Sequence, residues 1–242
     1  MTYILNYQAL AFDVYGTIVD WEGGMITALE PLTSQLKTPV SKEDLFAIIH
    51  ELEKEQQAQT PAMAYRDVLA AIHPKLAQRL GLPQPSVEES TAFGASVGKW
   101  PAFPDSIEAL KTLSKYYKLV VISNTDHQSF QGTQTGPLQG FQFDLVILAE
   151  DNGCYKPDPR AFEQLESQIS SKLGISKDKI IQTAQSQFHD HYPAKTAGLK
   201  SSWIVRPGSI MGNMPEPIYD WKFNTLGEMA AAVENAGKRK NS

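Results

Sequence analysis

Four short apolar runs in this chain lead into side chains that can do chemistry. "ALAF" runs into Asp13, with Gly16 and Thr17 just beyond it. "KLVVIS" ends on Ser123 and is followed by Asn124. The loop after "FDLVILA" carries Lys156 within "YKPDP", and the loop after "DKIIQTA" carries Asp190 within "QSQFHD". Where such runs are strands of an open parallel sheet, ligands bind outside their carboxyl ends. An acid, a hydroxyl, an amine and a second acid from four distant parts of the chain then converge on one edge. Singly, each has a local use: a strand-end Asp in a turn, a Ser-Asn pair starting a turn, a solvated Lys before Pro, an Asp capping the next helix. Together they describe a carboxylate, Asp13, placed to act as a nucleophile. An ammonium buried between Asp13 and Asp190 would keep its charge and favour the ionised form of Asp13.

These side chains need a scaffold, and the hydrophobic pattern supplies one. The runs at 118–123, 143–149, 178–184 and 200–206 are too short for helices, rich in Val and Ile, and apolar on consecutive positions. That is the pattern of strands covered on both faces. Between and after them lie helical stretches at 105–117, 158–174 and 225–237. The second has Asp158 as N-cap, Pro159 at the first helical position and Gly174 as the stop. The third opens on a capping box, Thr225 with Glu228. Strand and helix therefore alternate from about residue 104 onward, which reads as an α/β doubly wound fold.

Residues 18–99 read differently. Helical patterns at 41–59 (capped by Ser41 with Asp44), 61–81 and 86–98 follow one another with no convincing strand between them. The expected organisation is a discontinuous α/β core, 1–17 and 100–242, with a helical insertion, 18–99. "GKWPAFPDS" at 98–106 is the return crossing.

Composition bounds the function. The 242 residues are 42% hydrophobic and carry a formal charge of −5, which argues against nucleic acid or an anionic membrane as partner. The single cysteine, Cys154, cannot form an intrachain disulfide and fits a reducing compartment. With no signal-peptide pattern and no long apolar run, the expected location is cytoplasmic. The tail "GKRKNS" reads as a solvated end.

The ordered set "FDVYGT", "ISNT", "YKPDPRAF" and "HDHYPAKTAG" resembles the haloacid dehalogenase superfamily along the whole chain. That resemblance implies a Rossmann-like core with a mobile cap inserted after the first strand. Phosphatases of the superfamily carry an acid two positions after the nucleophile, where it protonates the leaving oxygen. Here that position is Tyr15, which resembles the L-2-haloacid dehalogenase branch. A halide leaves without a proton, and an aromatic ring suits an apolar pocket around an alkyl halide.

The resemblance assigns further roles. Asp13 attacks the halogen-bearing carbon and forms an ester that water cleaves. Thr17 and Ser123 hold the nucleophile or the substrate carboxylate, and Asn124 lines the halide side. Lys156 neutralises charge and positions Asp13, and Asp190 orients Lys156 or activates water. The resemblance also implies no metal or other cofactor, a small-molecule substrate and a homodimer.

The chain departs from that branch at several points. No arginine lies at 42–51, where the branch has one in the early cap, so Arg66 is the nearest cap candidate for binding substrate or halide. The positions before Asp190 are Gln185, Ser186 and Gln187, and Phe162 replaces a tyrosine. Two other readings remain: a Mg-dependent phosphatase-like hydrolase, and a binding protein on the same scaffold.

Overall fold

The computed structural model describes residues 3–240. After a short turn, β1 (Ala9–Phe12) leads into α1 (Trp21–Thr33), α2 (Lys42–Gln59), α3 (Tyr65–Arg79) and α4 (Val87–Ala95). The chain then returns through α5 (Ser106–Leu113), β2 (Lys118–Ser123), α6 (His127–Thr135), β3 (Leu145–Leu148) and α7 (Ala149–Asn152). It continues with α8 (Pro159–Leu173), β4 (Ile180–Ala184), a π-helical turn (Gln187–His191), α9 (Tyr192–Thr196), β5 (Lys200–Ile204), β6 (Trp221–Phe223) and α10 (Leu226–Lys240).

The strands form one sheet in the order β3-β2-β1-β4-β5-β6, with every pairing parallel. This is the doubly wound order, and its switch point lies between β1 and β4. The consecutive apolar residues of the strands divide by parity. Leu10, Phe12, Leu119 and Val121 enter one buried cluster, and Ala9, Ala11, Val120 and Ile122 enter another. Both faces of the sheet are therefore covered, as the runs predict.

Local signals set the helix ends. Asp158 accepts from Arg160 N–H at the start of α8, and Gly174 ends that helix in the left-handed region. Ser41 Oγ accepts from Asp44 N–H at 3.0 Å. The Thr225 cap is half as expected: Thr225 Oγ1 accepts from Glu228 N–H, but the Glu228 carboxylate reaches Asn224 N–H instead. The expected helix over 61–81 starts only at Tyr65. The basic tail continues α10 to Lys240, and its last two residues lie outside the described ones.

The elements that escape the pattern reading include α1 and α7 as well as α6 and β6. α6, "HQSFQGTQT", carries few apolar side chains, and β6 is a three-residue edge strand that is only half-buried. The outgoing and returning chains run side by side, with Asp20 N–H donating to Pro101 O at 2.8 Å and Phe103 N–H to Ile18 O at 3.0 Å. Among the described residues, no helix is long and apolar enough to cross a membrane.

This packing predicts where stability resides. Leu10→Ala, at a fully buried position of the central strand, should lower unfolding free energy by about 2–5 kcal/mol in denaturant titration. Val87→Ala, at a position 78% exposed, should change it by no more than about 0.5 kcal/mol.

Candidate active site

β1 delivers Asp13 to the switch point. Its N–H still follows the ladder, donating to Thr183 O at 3.1 Å, while its carboxylate turns toward a cavity beyond the strand ends. Oδ2 accepts from Thr17 Oγ1 at 2.7 Å, and that same hydroxyl oxygen accepts from Gln185 N–H at 2.9 Å. The turn between Asp13 and Thr17 passes through Gly16 at φ +97°, a conformation that a side chain would strain.

Lys156 reaches Asp13 from across the sheet. Its three ammonium protons have three acceptors: Asp13 Oδ1 at 2.9 Å, Asp190 Oδ1 at 2.7 Å and the carbonyl of Ile122 at 2.9 Å. Burial opposes the charge. The two carboxylates more than offset burial, and the ammonium is held above the ordinary lysine range. Asp190 is fully buried and also accepts from Gln182 Nε2 at 2.8 Å. Burial lifts its carboxyl to about 7, with Lys156 pulling it down and Asp13 adding to the rise.

The other expected residues divide into those at the cavity and one that is not. Tyr15 lines the cavity with its ring set edge-on to Trp100, and its hydroxyl shares a 2.8 Å hydrogen bond with Thr133 Oγ1. Burial pushes that phenol well above its ordinary value. Ser123 lines the cavity, and its Oγ is buried without a partner. Asn124 also lines it, but both polar atoms of its side chain pair with the backbone amide and carbonyl of Lys156, at 2.6 and 2.9 Å. Arg66 does not line the cavity. Its guanidinium lies 3.7 Å from Asp67 and is one-third exposed, while its backbone N–H donates to Asp126. Cys154 is buried and reduced, away from the cavity.

The opposite wall comes largely from residues that motif reading passes over. α1 and α2 contribute Trp21, Glu22, His50, Glu53 and Gln57, and α3 contributes Tyr65. Trp21 Nε1 donates to Tyr65 Oη at 3.0 Å, and Tyr65 donates to Glu53 Oε1 at 2.6 Å. Glu53 had a sequence signal, because it is an acid in phase with the buried stripe Leu45, Ile49, Leu52 of α2. Glu22 binds Lys42 at 2.6 Å and accepts from the N–H groups of Ile210 and Met211, fixing the loop that closes the cavity. In that loop a Cβ at Gly212 would lie 2.3 Å from Ser186 Oγ. His189 is half-buried in the wall, and desolvation together with Lys156 lowers it to about 4.

The cavity volume is about 100 Å³, which suits a ligand of a few heavy atoms. Its donor set does not fit a divalent cation. Among the described residues no three His, Cys, Asp or Glu side chains are grouped to hold one, and both Asp13 and Asp190 already bind the Lys156 ammonium.

Comparison with known proteins agrees with this fold. The chain is 25% identical over 244 residues to an (S)-2-haloacid dehalogenase from Pseudomonas sp. (strain YL), covering 95% of both chains. The structure resembles that of a defluorinating L-2-haloacid dehalogenase with a TM-score of 0.76 at 18% identity, over 94% of this chain and 95% of that one. It also resembles a magnesium-bound putative hydrolase from Bacillus subtilis, with a TM-score of 0.72 at 18% identity over 94% and 99% of the two chains. At such identity these structural likenesses bear on the fold alone. A family model for haloacid dehalogenase-like hydrolases matches residues 7–181, so the chain belongs to the haloacid dehalogenase-like hydrolases.

Proposed function

We propose that this hydrolase removes halide from short L-2-haloacids through a covalent ester on Asp13. One observation carries the reading: Asp13 is a desolvated carboxylate fixed at a small cavity by Lys156 and Thr17, and an aromatic ring stands two residues later instead of an acid. Asp13 attacks the halogen-bearing carbon in line with the departing halide. A C–O bond forms as the C–halogen bond breaks, and the carbon inverts. Water then adds to the Asp13 ester carbonyl and the acyl–oxygen bond breaks, releasing the hydroxy acid, the Asp13 carboxylate and one proton that passes to solvent.

Each neighbour has a part in this scheme. Lys156 balances the nucleophile's charge before attack and holds its orientation. Thr17 fixes the oxygen not bound to Lys156. Asp190, fully buried and bonded to Lys156 and Gln182, orients the ammonium. Asn124 sets the Lys156 backbone, and the Ser123 hydroxyl, which has no protein partner, is available to hold the nucleophile. Tyr15 shapes the apolar wall; its phenol, bonded to Thr133 and poorly acidic, is a weak proton donor. The halide needs no such donor, whereas a phosphate ester's leaving oxygen does. In this scheme residues 18–99 act as a cap over the core formed by 1–17 and 100–242. We also infer a homodimer from the resemblance of the sequence motifs, and a cytoplasmic location from the lone cysteine.

Asp13→Asn should abolish chloride release from L-2-chloropropionate while leaving the circular dichroism spectrum unchanged. A single turnover of wild-type enzyme in ¹⁸O-water should place label in the Asp13 carboxylate, read by peptide mass spectrometry; label only in the product would exclude the ester. Lys156→Ala should cost about three orders of magnitude in kcat, whereas Arg66→Ala should stay within about threefold of wild type, since it lies off the cavity. Tyr15→Phe should keep most of the activity, and a chelator should leave the wild-type rate unchanged.

A further inference from the structure

A haloacid carries a carboxylate, and among the described residues that line this cavity there is no uncommitted cation to receive it. Lys156 is held by Asp13 and Asp190. Lys42 is bound to Glu22 and to the carbonyl of Gly208. Burial lowers both His50 and His189 from the ordinary histidine range, which disfavours their charged forms. Arg66 pairs with Asp67 away from the cavity.

The directions of the hydrogen bonds in the opposite wall indicate what takes the cation's place. An indole N–H only donates, so Tyr65 Oη accepts from Trp21. The Tyr65 hydroxyl proton is then directed to Glu53 Oε1. Glu53 Oε2 has no protein partner, yet it is not among the sealed unpartnered atoms, and Glu53 lines the cavity. A proton on Oε2 would be the end of this relay and would face the ligand.

We propose that Glu53, in its protonated form, receives the substrate carboxylate by donating a hydrogen bond from Oε2, so that this enzyme holds its anionic substrate with a neutral donor. The inference rests on the haloacid reading above.

The groups around Glu53 favour its neutral form. Trp21 and Tyr65 face it from α1 and α3, Tyr155 stands near it, and His50 shares its helix. Across the cavity are Asp13, Lys156, Asp190 and His189. Burial raises Glu53 to about 7, with the Tyr65 hydrogen bond opposing the rise. Below that value Glu53 is a donor. Above it Glu53 is a second carboxylate, which offers no proton and repels the substrate.

The test reads binding and turnover separately. Propionate, which has no halogen and cannot react, should bind wild-type protein with a Kd that rises about tenfold per pH unit above neutrality, followed by NMR titration. kcat/KM for L-2-chloropropionate should show the same alkaline limb. Glu53→Gln keeps a donor that does not ionise, so both limbs should disappear up to pH 9. Tyr65→Phe removes the bond that favours ionised Glu53, so the limb should move to higher pH. If the limb persists in Glu53→Gln, ionisation of Asp190 is its source and the proposal is overturned. A flat propionate Kd in the wild type also overturns it. Because propionate binding needs no turnover, failure of dehalogenation in the Asp13 labelling experiment would be seen separately.

Discussion

One ammonium organises this site. Lys156 is buried with all three of its protons accepted, by the carboxylate after β1, a carbonyl of β2 and the carboxylate beyond β4. A buried cation with fewer partners would lose its proton or exclude the fold. The carboxyl ends of three strands are therefore tied to one nitrogen atom, and any shift in register would leave a buried charge unpaired. The reactive edge of the sheet is also where its packing is most constrained.

The same requirement extends outward. Thr17 occupies the Asp13 oxygen that Lys156 does not, and Thr17 in turn accepts from Gln185 N–H. Arg206 donates to Thr17 O at 2.9 Å and to Asp105 Oδ1 at 2.6 Å while stacking 4.0 Å from the Phe103 ring centre. The turn bearing the nucleophile is thereby bound to the start of α5 and to the chain after β5. Gln185 Nε2 donates to Asn213 Oδ1 at 3.0 Å, which joins the site to the closing loop that Glu22 also holds. Thus the position of a single carboxylate depends on contacts from most of the chain.

The two walls of the cavity differ in kind. The floor is ionic, with opposite charges neutralised in place. The wall from α1, α2 and α3 joins aromatic rings to the Trp21–Tyr65–Glu53 relay, and its Glu22 carboxylate is neutralised by Lys42. Such a wall costs less to desolvate than a charged one, and it leaves the nucleophile as the main charge a ligand meets. A halogen-bearing carbon, which gains electron density from Asp13 and gives up an anion, matches that arrangement.

Much of the core was legible in the sequence. The runs ending at Phe12, Ser123, Leu148, Ala184 and Ile204 announce buried parallel strands because consecutive apolar residues need cover on both faces. A parallel sheet places its functional side chains at one edge, so Asp13, Ser123, Lys156 and Asp190 could be assembled before any coordinates. Asp158, Pro159 and Gly174 mark α8 because caps act within one turn of chain. Other features escaped the local pattern: α6 lacks an apolar stripe, and β6 gains its order from β5. Only the tertiary structure decided that Arg66 turns away from the cavity, that Asn124 serves the Lys156 backbone, and that Trp21, Tyr65 and Glu53 form one directed relay. The physical reason is range. Periodicity, caps and strand polarity are set by neighbouring residues, whereas the partner of a buried polar atom is set by packing between segments distant in sequence.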